Sequence, residues 1–221
     1  MRPLHYYSMG LRALVGYRPD TSDEEVIRNI LIDRTEYNLF VGVNPRVIFD
    51  IGANIGAASL LFANSYPNAL VFAFEPEAEN FEVLVDNTKT YQNIKCFNFA
   101  VGAESCRRTL YTSDDINNLG GYSFHKEGIT PESKQEVHAV SINEFMDRER
   151  INKIDLLKVD TEGCEPEIIC ALKSRLPPLI MGEMHGTPAD FSMFDLLSST
   201  HDLEITKKLG CRVYPFYAKV K

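Results

Sequence analysis

Four side chains able to exchange protons are confined to two short stretches of the chain. Asp160 and Glu162 lie in Lys158-Val-Asp-Thr-Glu-Gly163, and Glu183 and His185 lie in Gly182-Glu-Met-His185. Each stretch closes an apolar run, Ile154 to Val159 and Pro178 to Met184, so all four stand at the carboxyl ends of buried strands. Histidine ionises near neutral pH, and crowding makes a carboxylate give up its proton less readily, so the set can supply a general base. His185, Asp160 and Glu162 are the catalytic candidates. Glu183 shares a strand face with His185 and is a candidate contact for an acceptor. Asp160 and Glu162 could instead organise the turn into the next helix. Three carboxylates and an imidazole also suit a hard divalent cation such as magnesium, but nothing in the pattern requires a metal. Lys158, in a buried strand, needs a counter-ion, which the neighbouring carboxylates could supply.

A second constellation lies earlier. Asp50-Ile51-Gly52-Ala53-Asn54-Ile55-Gly56 follows the apolar run Val47 to Phe49 and opens an alanine- and leucine-rich helix. Glycine at such a turn lets backbone approach a ligand closely. Glu75-Pro76 ends the next apolar run, Leu70 to Phe74, where a carboxylate can accept both hydroxyls of a ribose. Dinucleotide sites use G-x-G-x-x-G, whose middle glycine and helix N-terminus hold a pyrophosphate. Here the spacing is G-x-x-x-G with Ala53 after the first glycine, which suits S-adenosylmethionine (SAM), a ligand with an amino acid and a sulfonium in place of pyrophosphate.

These residues need a scaffold that brings strand ends together, and the remaining pattern provides it. Short apolar runs alternate with helical stretches at Glu77 to Lys89, Ile142 to Arg148, after Pro166, and over 188–200. A third strand is expected over Ile94 to Phe99, and Val137 to Val140 reads as a short extra one. Leu203 to Leu209 and Cys211 to Val220, joined by Gly210, read as an antiparallel hairpin. The order predicts a doubly wound, mostly parallel α/β sheet. Residues 20–41 read as one helix, capped by Thr21 or Ser22, so residues 1–45 form an N-terminal helical extension. Residues 46–221 form the SAM-binding domain, in a single globular unit. Residues 102–135 are polar and irregular, and include Gly120-Gly121-Tyr122-Ser123.

Composition narrows the partners. A net charge of -8 leaves no broad basic field for a phosphate backbone, which argues against nucleic acid and for a small-molecule acceptor. No apolar run approaches the roughly 18 residues of a membrane span. The five cysteines are odd in number and form no C-x-x-C pair, as expected of free thiols in a reducing, cytoplasmic setting.

In order, Asp50-Ile-Gly-Ala-Asn-Ile-Gly56, Phe74-Glu-Pro76, Phe99-Ala-Val-Gly102, Lys158-Val-Asp-Thr-Glu-Gly163 and Gly182-Glu-Met-His185 resemble the FkbM-type SAM-dependent methyltransferases over residues 36–186. The resemblance implies a Rossmann-like sheet of seven strands, the last antiparallel. It implies that Asp50, Gly52, Asn54 and Gly56 line the methionine part of SAM, that Glu75 with Pro76 holds the ribose, and that Asn98 to Ala100 flank the adenine. It also implies that the loop carrying Ser123 borders the acceptor, and it loosely matches Glu36 to an acidic position before the first strand. Methyl transfer to a hydroxyl is the expected reaction, and the Asn/Asp-Pro-Pro-Tyr type of motif used by many amine and amide methylators is absent. Two other readings remain open: a catalytically silent SAM- or nucleoside-binding module, and an NAD-type oxidoreductase, the latter against the glycine spacing.

Overall fold

The computed structural model describes residues 4–7, 14–111, 119, 121, 134–185, 192–206 and 213–221. Seven strands form the main sheet: β3 (Val47–Ile51), β4 (Leu70–Phe74), β5 (Ile94–Phe97), β9 (Leu156–Val159), β10 (Leu179–His185), β11 (His201–Ile205) and β12 (Val213–Val220). Their order is β11-β12-β10-β9-β3-β4-β5, parallel except for β12, which runs antiparallel to both of its neighbours. The doubly wound sheet and its antiparallel C-terminal pair are thus present. Helices α2 (Ala57–Ser65), α3 (Ala78–Thr88), α4 (Ile142–Arg148), α5 (Glu165–Leu172) and α6 (Ser192–Thr200) accompany it. Residues 188–191 and 207–212, which the expected last helix and hairpin include, lie outside the described residues.

The strands are unbroken apolar runs because both faces are covered, and successive residues serve opposite cores. Ile48, Val71, Leu156 and Met181 pack with α2 and the N-terminal segment. Phe49, Phe72, Leu157 and Ile180 pack with α4, α5 and α6. On that second face Phe145 sits at the centre of an aromatic group, 5.0 Å from Phe74 and 5.1 Å from Phe97 between ring centroids. Strand order reverses between β3 and β9. The crevice beyond their carboxyl ends is where open α/β sheets take ligands.

Three local expectations are corrected. The helix over 20–41 is only α1 (Asp23–Ile27), continued as a π-helical turn over Arg28–Ile32. Arg34 and Tyr37 then adopt φ of 55° each, and Thr35 and Glu36 fold their N–H groups back onto the Asn29 carbonyl. Tyr37 turns inward to the sheet, a tertiary demand that overrides a sequence without a breaker. The start of the chain carries an antiparallel pair, β1 (His5–Tyr7) and β2 (Val15–Tyr17), where a flanking helix is expected. Asn87 on α3 fixes it by accepting from Gly16 N–H (2.6 Å) and donating to the Gly16 carbonyl (3.0 Å).

The third parallel strand stops at Phe97 because the last ladder bond is Glu75 N–H to the Phe97 carbonyl, and the next N–H on that side, that of Glu77, turns to the Glu75 carboxylate instead. The chain then enters a separate sheet of β6 (Ala100–Gly102), β7 (Cys106–Tyr111) and β8 (Lys134–Ser141), ordered β6-β8-β7. Arg108 on β7 pairs with Glu167 on α5 and holds this small sheet beside the crevice. No helix among the described residues is long and apolar enough to cross a membrane.

Candidate active site

The crevice begins at the turn after β3. Gly52 has φ +77°, and a Cβ there would stand 1.8 Å from the Asp160 carbonyl oxygen, so only glycine fits between the two strand ends. Its N–H and that of Ala53 both donate to the Phe74 carbonyl, which fastens the turn to the end of β4. Asn54 follows at φ 50°, and its N–H donates to Glu75 Oε2 at 2.8 Å. Glu75 Oε1 accepts from Glu77 N–H at 2.9 Å, and Glu77 in turn caps α3 through Asn80 N–H. Burial pushes the Glu75 carboxyl up to about 7, against the pull of these N–H groups.

A crevice opens here, walled by Gly52, Asn54, Glu75, Ala100, Leu110 and Glu162 among others. Pro76 is also on the wall, and so are Asp160 and Thr161, so one cavity joins the two constellations found in the sequence. The buried Asn54 Oδ1 accepts no hydrogen bond from the described residues, which leaves an acceptor ready for a ligand donor. Three expected contacts are placed elsewhere. Asp50 is fully buried beneath the turn, where it accepts from Ser59 Oγ at 2.6 Å and pairs with Lys158. Gly56 starts α2 and faces Leu84. Asn98 donates its amide to the Glu75 and Pro76 carbonyls, shaping the wall from behind.

Lys158 therefore takes Asp50 as its partner, and not a member of the acidic cluster. Its ammonium also donates to the Gly52 carbonyl at 2.6 Å and lies 5.2 Å from the centre of the Tyr37 ring. Burial alone would drive its pKa down, but Asp50 and Asp160 prevail and raise it.

Across the crevice, Asp160, Glu162, Glu183 and His185 converge. His185 Nε2 lies 3.5 Å from Glu162 and 4.0 Å from Glu183, and Nδ1 lies 3.8 Å from Asp160 and 3.4 Å from Glu165. Burial lowers the imidazole pKa, but the surrounding carboxylates overcome it and push the ring up to about 10. The imidazolium is thus the cation of the cluster. Burial, with Asp160, Glu165 and Glu183, pushes the Glu162 carboxyl up to about 7, although His185 opposes it. Asp160 accepts from the Tyr37 hydroxyl at 2.5 Å. Asp160, Glu183 and His185 each bring a nitrogen or carboxylate oxygen to within 4.8 Å of the others.

Two residues of this half escape sequence reasoning. Tyr37 gives no periodic signal, and its contact spans 123 residues of chain. Glu165 reads only as the start of a helix. A buried glutamate two residues after a turn glycine was the available hint. The loop carrying Ser123 lies outside the described residues.

With this geometry in view, comparisons with known proteins are decisive at the family level. The methyltransferase FkbM domain matches residues 50–207. The chain belongs to the FkbM methyltransferase family. This FkbM methyltransferase is 25% identical over 188 residues to the hexuronic acid methyltransferase AglP of Haloferax volcanii, covering 84% of this chain and 72% of the relative. It is also 25% identical over 169 residues to Methyltransferase 1 of Beauveria bassiana, covering 67% of each. Among solved structures, the Methanococcus jannaschii fibrillarin pre-rRNA processing protein shares the fold, with a TM-score of 0.54 at 13% identity over 98% of this chain and 82% of that one.

Proposed function

We propose that this FkbM methyltransferase moves the methyl group of SAM to a hydroxyl of a small-molecule acceptor. The observation that carries the reading is the single cavity shared by the Gly52–Glu75 wall and the Asp160–Glu162 turn. Bound SAM supplies an activated methyl on a sulfonium. In this reading Gly52 and Asn54 hold its amino-acid end, Glu75 accepts the ribose hydroxyls, and Ala100 with Leu110 forms the apolar bed for the adenine. Asn98 and Pro76 keep Glu75 in place.

On the opposite side the acceptor oxygen attacks the methyl carbon as the carbon–sulfur bond breaks, and its proton passes to a carboxylate. Glu162 suits that role. Its pKa near 7 leaves it basic at neutral pH yet able to keep a proton once taken. His185, one of the three candidate bases read from the sequence, is already protonated in this setting and instead offers a positively charged donor. Asp160, steadied by Tyr37, and Glu183 receive the acceptor's remaining hydroxyls. A net charge of -8 and an acidic crevice support a small molecule over a nucleic acid.

Calorimetry with SAM, S-adenosylhomocysteine and NAD tests the cofactor half. A methylation screen over hydroxylated metabolites, with Glu162→Gln alongside, tests the rest. Binding of NAD in preference to SAM, or full turnover by Glu162→Gln with a true acceptor, would overturn the corresponding half.

A further inference from the structure

Glu165 accepts four hydrogen bonds in the acceptor half. It is fully buried at the first turn of α5. Its Oε1 accepts from Thr161 N–H at 2.7 Å, from Thr161 Oγ1 at 2.9 Å and from Gly163 N–H at 3.1 Å. Its Oε2 accepts from the His185 main-chain N–H at 3.2 Å. The one carboxylate therefore spans the β9–α5 turn, which carries Asp160 and Glu162, and the end of β10, which carries His185. The buried Nδ1 of His185 makes no hydrogen bond with the described residues, and of the two carboxylates beside it Glu165 is the nearer, at 3.4 Å against 3.8 Å for Asp160.

We propose that Glu165 is the positioning residue of the acceptor half, holding the β9–α5 turn to β10 and fixing Nδ1 of His185 so that Nε2 faces Glu162 and Glu183. It works through its neighbours and touches neither cofactor nor acceptor. The inference rests on the acceptor side being where the proposed function puts it.

The arrangement has a chemical reason. A ring between carboxylates on two sides could rotate or exchange tautomers, and either change would scramble which group near the acceptor carries a proton. A carboxylate anchored by four donors cannot follow the ring, so the ring must settle against it. Among the described residues, the charged and titratable groups around His185 are Asp160 and Glu162 from the turn, Glu165 from α5 and Glu183 from β10. Tyr37 reaches it through Asp160, and Tyr217 on β12 acts through Glu183. Glu165 is bonded to main chain on both elements, the β9–α5 turn and the end of β10. A purely structural helix cap would account for the Thr161 and Gly163 bonds but leaves the contacts to His185 without a purpose.

Nuclear magnetic resonance of histidine side chains in the intact protein, assigned with His185→Gln, tests this without any acceptor. In the wild type the His185 ring should stay protonated through pH 8, and on deprotonation at higher pH should retain its proton on Nδ1. In Glu165→Gln, which keeps an oxygen for Thr161 and Gly163 but loses the charge, the midpoint should fall by at least one pH unit and the tautomer should mix. SAM affinity, measured separately, should stay within about twofold, and Glu165→Asp should recover part of the midpoint shift. A wild-type His185 that titrates below pH 7.5, or that keeps its proton on Nε2, overturns the proposal whether or not the variant folds. So does an unchanged midpoint in a folded Glu165→Gln protein, or a movement of the His185 signals by millimolar magnesium. Loss of SAM binding by the wild type would instead fault the cofactor assignment, and the two failures are distinguishable.

Discussion

Asp50 and Lys158 face each other in register on adjacent parallel strands, carboxylate to ammonium at 3.2 Å, in the middle of the sheet and closed to solvent. The ammonium reaches past Asp50 to the Gly52 carbonyl, so the pair braces the glycine turn from below. Removing one partner leaves a buried charge alone, which typically costs about 3–5 kcal/mol. Lys158→Met should show a loss of that order in chemical denaturation, together with weaker SAM binding. The double variant Asp50→Asn/Lys158→Met should be more stable than the single one. Additive losses would mean that the two do not act as a pair.

On the proposed function, Glu75 couples cofactor binding to pH. Its carboxyl is raised to about 7 from an ordinary 4.5, so the folded protein without ligand holds this proton more tightly than the unfolded chain does. That contribution to stability is complete below about 4.5 and fades as pH rises through 7. Ribose hydroxyls need the ionised form, so SAM affinity should climb between pH 6 and 8 in the wild type and stay level in Glu75→Gln. Glu75→Ala should weaken SAM by about 1.5–3 kcal/mol, as for a hydrogen bond to a charged group. Calorimetry across pH reads both effects.

Gly52→Ala should fail by geometry. The methyl group would need to occupy space 1.8 Å from the Asp160 carbonyl, on backbone at φ +77°. Separating β3 from β9 at that point disrupts the central pair of the sheet, and the destabilisation should exceed about 3 kcal/mol, at the severe end for a single substitution. A variant that melts within two degrees of the wild type would contradict the described turn.

Tyr37→Phe should separate the two halves of the crevice. It deletes only the hydroxyl whose hydrogen bond Asp160 accepts. SAM affinity should hold within about twofold while turnover falls at least fivefold. A matched loss in both would show Tyr37 supporting the whole crevice.

The sheet was legible because its strands are buried on both faces and read as apolar blocks, and the glycine turn with Glu75 was legible because those residues lie next to the strands they end. The acidic cluster was visible as two strings for the same reason. Tyr37 was hidden because nothing near it in sequence announces a partner in β9. The N-terminal pair was hidden because its stability comes from Asn87 on α3 and not from its own strand propensity. His185 shows a different limit. Its residue type suggests a base, but its protonation depends on four carboxylates, of which Glu165 reads locally as a helix start.

The strand order also dictates a sequence of events as the chain is made. Gly52 and Lys158 lie 106 residues apart, yet they meet at the centre of the sheet. Until β9 has emerged, β3 is an exposed edge and Asp50 lacks its counter-ion, while β4 and β5 can already pair beside it. Such long-range parallel closure is slow. The step that finishes the sheet is therefore also the step that first brings Asp160 against Gly52, so the nascent chain can shape the Glu75 wall early but closes the crevice only when β9 arrives.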